Sequence, residues 1–347
     1  MQATQGAPRA IVGPYLAAAL GDERWSDCTV ELISGGKSNL TYRIAGPAGR
    51  VVLRRPPLGN VLPTAHDMSR EHTIIAALAG SAVPVPVALH LCTDPAVLGA
   101  PFHVMSYVDG PVVRAAFPPG YADRPAQRRA IADELVDVLA RLHAVDVDAA
   151  GLSGFGHPDG FLARQLRRWT GQWEASRAAA SPTLDALAAA LAESLPDSPA
   201  PTVVHGDYRL DNTVLHPEIP GRILAVLDWE MSTLGDPLAD LGLLLVYWQG
   251  PVDAGNPLAV QTGAALSALP GFPNRAQICA RYAERTGRDL SALPWYVAFG
   301  CFKLAVVVAG VVARHRAGAM VGDGFEGIGN ALEPLVLRGH AELAGDL

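Results

Sequence analysis

The sequence predicts an α+β fold in two segregated lobes, a small β-rich N-terminal one and a larger, mainly helical C-terminal one. Three observations carry this expectation. Short alternating segments separated by turn signals fill the first third of the chain. Helical periodicity takes over from Ala126. The length of 347 residues, half of them hydrophobic, is too great for one small core and sufficient for two. Strands in a run followed by helices in a run are the mark of an α+β chain. The boundary is expected near Val108 to Gly110, dividing the chain into 1–108 and 109–347.

Each element follows from its own signal. Ile11 to Leu20 reads as a short helix. Thr29 to Ile33 alternates as a strand does, and so do Leu40 to Ile44 and Val51 to Arg54, with turns at Ser34 to Asn39 and at Gly49-Arg50. After a loop carrying Pro56, Pro57 and Pro63, Ser69 is placed as the cap of a helix from Arg70 to Leu78. Pro84 and Pro86 precede a strand near Val87 to Cys92, and Phe102 to Tyr107 forms another. Beyond Ala126, residues Ile131, Leu135, Val138, Leu139 and Leu142 share one helical face. Gly160 to Ala180 and Thr183 to Leu195 are further helices. Val203-Val204 and Ile223 to Leu227 read as a hairpin-like pair, and helices follow to the end.

The charge and the cysteines exclude several classes. A formal net charge of −7 with no long run of one sign argues against a general nucleic-acid binder. Four cysteines, Cys28, Cys92, Cys279 and Cys301, show no paired metal-ligand spacing and fit free thiols in a reducing compartment. Met1 to Ala10 is polar, without a signal-peptide core. The longest apolar run, Leu304 to Ala313, lies between Lys303 and Arg314-His315-Arg316. It falls short of the roughly 20 residues that span a bilayer. The expectation is a buried helix, no membrane partner and a cytoplasmic protein; the sequence leaves the oligomeric state open.

The chemistry concentrates in His205-Gly206-Asp207-Tyr208-Arg209-Leu210-Asp211-Asn212 and, further on, Leu227-Asp228-Trp229-Glu230. A carboxylate stands five positions before an amide, and a second carboxylate follows the next apolar strand. Phosphoryl transfer needs this set: one carboxylate to take or orient the proton of the attacking hydroxyl, and oxygen donors to hold magnesium against nucleotide phosphates. Asp207 is the candidate base; Asn212 and Asp228 are the candidate magnesium ligands. Asp211 receives no role. The competing reading, in which these residues merely cap turns, has to explain why so many parts agree.

The stretch resembles the catalytic loop of the aminoglycoside phosphotransferase and choline kinase family, which has a protein-kinase-like fold. The resemblance implies ATP or GTP as co-substrate, Mg2+ as cofactor and a small-molecule hydroxyl as acceptor. His205 is similar to the loop histidine that holds this turn in shape. Upstream, Gly35, Gly36, Lys37 and Ser38 stand where a phosphate-covering loop belongs, although a plain hairpin turn accounts for them equally. Arg54 stands where that fold carries a strand Lys gripping the α- and β-phosphates, and Glu71 stands where an ion pair would orient it. Arg in place of Lys is a departure, because its planar fork changes the phosphate geometry. Arg55, its neighbour, is expected to face solvent. Met105 to Tyr107 resembles the hinge, with backbone groups of Ser106 and Val108 set to meet the adenine edge. Asp236 and Asp240 resemble a family run, but helix capping by Asp236 with Pro237 at the first helical position accounts for it.

Two stretches narrow the resemblance: Val51 to Pro57, and Gly160 to Trp169 with Gln172 to Ser176. They resemble the kinase-like domain that some organisms fuse to an acyl-CoA dehydrogenase and that bacteria also make separately. The likeness runs from Trp25 to Gly318 and includes the strand Arg. It implies a hydroxy acid or hydroxyacyl-CoA acceptor. Arg164, Arg167 and Arg168 fall on one helix face by spacing, beside Trp169 and Trp173. A basic face next to aromatic surface suits an anionic, partly apolar ligand better than a polycation; a solvated face with the tryptophans packed inward is the plain alternative. Two other functions stay open. One is an antibiotic kinase acting on an aminoglycoside or macrolide. The other, prompted by Arg54, is a nucleotide-binding protein without catalysis.

Overall fold

The computed structural model describes residues 5–34, 39–58, 67–176, 181–248, 264–316 and 327–345. The chain separates into two compact units, one of residues 1–109 with 225–230, the other of residues 110–224 with 231–347. Gly35, Gly36, Lys37 and Ser38, the expected phosphate loop, lie outside the described residues.

In the first unit, helix α1 (Arg9–Leu20) precedes strands β1 (Thr29–Ser34), β2 (Leu40–Gly46) and β3 (Gly49–Arg55). Helix α2 (Met68–Leu78), β4 (Ala88–Cys92), the short α3 (Pro95–Leu98) and β5 (Phe102–Ser106) follow. The five strands form one antiparallel sheet in the order β1-β2-β3-β5-β4. Tyr42, Ile44, Leu53 and Val104 are fully buried and share a cluster with Val12 and Leu16 of α1. Each such side chain contributes roughly 1.5–3 kcal/mol by leaving water.

Two local expectations are corrected here. Asp67, not Ser69, caps α2: its carboxylate accepts from the N–H of Ser69 and of Arg70 at 3.0 and 3.1 Å. A carboxylate at a helix N-terminus also meets the favourable end of the helix dipole, which a hydroxyl does not exploit. Arg55 does not face solvent. It is 4% exposed and donates to the carbonyls of Gly6, Leu98 and Pro56 at 2.7, 2.7 and 3.1 Å. Strand alternation predicts a wet face only where that face is bare; here the N-terminal segment covers it.

The second unit holds α4 (Pro125–His143), α5 (Phe161–Ser176), α6 (Pro182–Glu193), β6 (Thr202–Val204) and β7 (Thr213–Leu215). Next come β8 (Ile223–Val226), whose end belongs to the first unit, then β9 (Thr233–Gly235), α7 (Leu238–Tyr247), α8 (Arg275–Thr286), α9 (Leu293–Arg316) and α10 (Leu332–Ala344). The expected α4 face is fully buried, from Ile131 through Leu142. The expected hairpin partners were wrong: β6 pairs with β9, and β7 with β8. Short apolar strands carry no register information of their own, so proximity in sequence misled.

Helix α9 packs against α5, α6, α7 and α10. A Cβ on Gly242 of α7 would meet the Tyr296 backbone of α9 at 2.6 Å, so glycine there permits the close approach. The stretch Leu293–His315 is long and apolar enough to cross a membrane by length and composition, unlike the shorter run read from sequence, and 67% of its most apolar window is buried inside the protein.

Candidate functional site: two polar clusters

The first cluster belongs to the N-terminal unit. Arg54, on β3, donates from Nη1 to Glu71 Oε1 at 2.6 Å and from Nη2 to Asp228 Oδ1 at 2.8 Å. Glu71, on α2, is completely buried, and His103 Nε2 of β5 lies 3.3 Å from its other oxygen. Burial opposes the charge on Glu71, but Arg54 and then His103 outweigh it and hold the carboxyl down at about 2. Burial likewise opposes the Arg54 charge, and Glu71 and Asp228 together raise its pKa. Asp228 follows β8 in a left-handed conformation, φ +68°, rare for a residue other than glycine. Beside it, Glu230 accepts from Asn39 Nδ2 at 2.9 Å. Sequence reasoning did not single out His103; a lone His in a strand gives no signal.

The hinge residues differ in their hydrogen bonding. The N–H of Ser106 is already donated to Val87 O at 2.9 Å, and its hydroxyl accepts from the Val87 N–H at 2.9 Å. These contacts commit the Ser106 N–H and hydroxyl to Val87. Among the described residues no hydrogen bond claims the main chain of Val108.

The second cluster is the turn His205–Asn212 in the C-terminal unit. Gly206 has φ +83°, and a Cβ there would meet Met231 O at 2.7 Å, so only glycine fits. The N–H groups of His205 and Gly206 donate to Asp240 at 2.6 and 2.7 Å. His205 Nδ1 accepts from the Asp207 N–H at 3.2 Å. Asn212 Nδ2 donates to Asp207 O at 2.8 Å and to Asp207 Oδ2 at 3.1 Å. The side chain of Asp207 remains 25% exposed, so the turn presents a carboxylate that its neighbours hold but do not bury. Arg209 Nε lies 3.3 Å from Asp207 and 3.1 Å from Asp211. Burial drives the Asp211 carboxyl up to about 6, with Arg209 opposing and Asp207 assisting.

Asp240 was read as part of a helix-capping run, and that reading is incomplete. Asp236 does accept from the Leu238 N–H at 3.0 Å and from the Tyr296 hydroxyl at 2.6 Å. Asp240 instead anchors the turn, and His143 Nε2 approaches it at 3.3 Å while Nδ1 meets the Tyr282 hydroxyl at 2.7 Å. Burial opposes the Asp240 charge, yet His143 and the His205 N–H lower its pKa.

The oxygen donors in each unit are of the kind a hard cation prefers. Asn212 spends its Nδ2 on Asp207, which leaves Oδ1 as an acceptor, and Asp228 brings a formal charge. A hard cation that keeps most of its own water needs few protein oxygens. Among the described residues no group of three or more His, Cys, Asp or Glu could hold a metal ion by itself.

The expected basic face of α5 separates into three different environments. Arg164 donates to the carbonyls of His157 and Asp159. Arg167 is exposed, and Arg168 lines a cleft together with Trp169. Trp173 packs inward and donates to Asp185 at 2.7 Å. Lys303 of α9, not singled out from sequence, also lines the cleft and donates to Gly206 O at 2.6 Å.

A β-rich unit carrying an Arg–Glu pair and a helical unit carrying an Asp–Asn turn define a kinase-like phosphotransferase class. The family model for the phosphotransferase enzyme family matches residues 29–278, and the chain belongs to that family. It is similar to mouse (Mus musculus) acyl-CoA dehydrogenase family member 10, 34% identical over 99% of this chain and 31% of that protein. It is also similar to rat (Rattus norvegicus) family member 11, 35% identical over 92% of this chain and 41% of that one. The chain thus spans less than half the length of these relatives. A crystal structure from Ralstonia eutropha, provisionally assigned as an aminoglycoside phosphotransferase, is 33% identical with a TM-score of 0.80, covering 96% of this chain and 98% of its own. An aminoglycoside phosphotransferase solved with GDP and kanamycin has a TM-score of 0.60 at 16% identity, covering 96% and 98%, and shows the shared fold alone.

Proposed function

We propose that this protein transfers the γ-phosphoryl group of ATP or GTP to the hydroxyl of an anionic small molecule, a hydroxy acid or a hydroxyacyl-CoA. The observation that carries the reading is the His205–Asn212 turn. Asp240 fixes its backbone, Asn212 orients Asp207, and the Asp207 carboxylate stays accessible. Asp207 accepts the hydroxyl proton as the oxygen attacks phosphorus, and such a positioned base contributes roughly 10²–10⁴-fold. Asn212 and Asp228 would hold magnesium, which when bound neutralises charge on the phosphates. Arg54, oriented by Glu71, supplies a guanidinium to the phosphates. Val108 offers main-chain groups to the base of the nucleotide. Free thiols at all four cysteines support a reducing, cytoplasmic setting.

The experiment is transfer of labelled γ-phosphate from ATP and from GTP, with magnesium or with a chelator, across hydroxy acids, their coenzyme A thioesters and aminoglycosides. The expected result is magnesium-dependent labelling of an acidic acceptor, abolished in Asp207→Asn. Labelling of kanamycin alone would instead establish an antibiotic kinase. Nucleotide binding with no transfer to any acceptor would establish a protein without catalysis.

A further inference from the structure

Strands β3 and β5 pair with Arg54 opposite His103, so the two side chains are neighbours on one face of the sheet. Helix α2 packs on β4 and β5 and brings Glu71 to both. Arg54 takes one carboxylate oxygen, Oε1, at 2.6 Å. His103 Nε2 stands 3.3 Å from the other, Oε2. His103 and Glu71 are 0% exposed and Arg54 is 6% exposed. An imidazole is a costly filler for such a place. Among the described residues neither of its nitrogens makes an aligned hydrogen bond, and leucine or phenylalanine would fill the space without stranding them. The groups facing the imidazole are Glu71 and His72 of α2, the His72 ring edge-on at 6.2 Å, and Arg54 of β3. His90, on the neighbouring β4, is occupied with the Tyr15 hydroxyl at 2.9 Å. Of these groups only Glu71 is an anion, so the nitrogen that meets it is the protonated one.

The arrangement matters because Arg54 is a fork. Its Nη1 is spent on Glu71 and its Nη2 on Asp228, 2.8 Å away, so those two carboxylates set the plane of the guanidinium. The terminal torsion of a glutamate is soft. Gripped at one oxygen only, the carboxylate can swing and carry the guanidinium with it. A second contact at Oε2 stops that rotation. Burial opposes the charge on Glu71, and His103 follows Arg54 among the groups that sustain it, ahead of the Trp229 backbone.

We propose that His103 is a positioning residue of the nucleotide site: it fixes the rotation of the Glu71 carboxylate and, through it, the plane of the Arg54 guanidinium that meets the phosphates. The inference rests on the phosphotransferase reading and adds to it a residue that touches neither nucleotide nor acceptor. It also bears on the arginine that stands where the resemblance expects lysine. A point charge is indifferent to the tilt of its carboxylate, whereas a planar fork needs that carboxylate held.

The test is calorimetric binding of magnesium AMP-PNP or magnesium GMP-PNP, whichever wild type holds more tightly, to the full chain. Wild type is compared with His103→Phe, His103→Gln, Arg54→Ala and the double variant Arg54→Ala with His103→Phe. His103→Phe should weaken the nucleotide about tenfold, the scale of one charge-assisted hydrogen bond. His103→Gln sets an amide N–H where Nε2 stood and should stay within about threefold of wild type. In the Arg54→Ala background His103→Phe should have almost no further effect, because its influence passes through the guanidinium. Unaltered binding in His103→Phe, a His103→Gln variant as poor as His103→Phe, or an equal loss with and without Arg54 would each overturn the proposal. If His103→Phe does not fold, His103→Leu takes its place, and the wild-type imidazole 15N spectrum decides beside it: His103 must carry its proton on Nε2, and a bare Nε2 overturns the proposal as well. Transfer of labelled γ-phosphate by the same wild-type preparation separates the two levels. Nucleotide binding and Asp207-dependent transfer persist if only this inference fails, and transfer is missing if the phosphotransferase reading itself fails.

Discussion

Glu71 and Asp211 are both buried carboxylates beside an arginine, and they behave in opposite ways. Glu71 lies in the β-rich unit, receives a direct Arg54 hydrogen bond at 2.6 Å and is held down at about 2. Asp211 lies in the helical unit, where Arg209 is 3.1 Å from it and 3.3 Å from Asp207; its carboxyl is pushed up to about 6. Among the described residues Asp211 Oδ1 accepts no hydrogen bond. Burial alone does not decide the charge state. What decides it is whether a donor is aimed at the carboxylate and whether a like charge competes for that donor. One unit holds its ionic group by a direct hydrogen bond, while among the described residues Glu71 Oε2 and Arg54 Nε make none. The other leaves a carboxylate under tension next to the turn that presents Asp207.

Removing the competitor breaks the comparison most severely. Asp207→Asn should keep the fold and nucleotide binding while turnover falls about 10²–10⁴-fold. The same change deletes the like charge facing Asp211, so the Asp211 pKa, followed by carboxyl NMR, should drop. Turnover within a few-fold of wild type would remove Asp207 from its role.

Next comes the Arg54–Glu71 pair. Glu71→Gln leaves Arg54 buried with one carboxylate fewer and should cost about 3–5 kcal/mol at neutral pH, read by denaturant unfolding. The sign with pH follows from the lowered Glu71 pKa. Its stabilisation is fully present above the ordinary carboxylate range and is lost as pH falls toward about 2. The gap between wild type and Glu71→Gln should therefore narrow on acidification; a gap constant from pH 7 to pH 3 would mean that the pairing is not what stabilises.

A milder probe is Arg54→Lys. A point charge cannot bridge Glu71 and Asp228 as the guanidinium fork does. Nucleotide KM should rise roughly tenfold, with Arg54→Ala rising further. Equal kinetics in all three would show that another cation serves the phosphates.

The smallest change should come from Asp211→Asn. Because the folded pKa is raised, wild type loses stability as pH climbs from about 4 to about 6, and the variant escapes that loss. At pH 7 the variant should be the more stable of the two, and the difference should vanish near pH 4. A variant less stable at pH 7 would show that the Arg209 pair outweighs burial.

The fold class, the order of strands and helices and the Asp207–Asn212 spacing were legible in the sequence. They depend on local period and on residues a few positions apart, and chain connectivity fixes both. The partners of Arg54 were anticipated in part: Glu71 from its position on the next helix, Asp228 only as a separate magnesium ligand. What local pattern could not supply was set by long-range packing. The pairing of β6 with β9, the covering of Arg55 by the N-terminal segment and the use of Ser106 by Val87 each join segments far apart in the chain or decide which face is wet. His103 and Lys303 escaped notice, and Asp240 was read only within a helix-capping run, because a single inward polar residue has no periodicity to announce it. Its meaning comes from the groups that surround it, and only the tertiary structure brings Asp240 to the His205 turn and Lys303 to the Gly206 carbonyl.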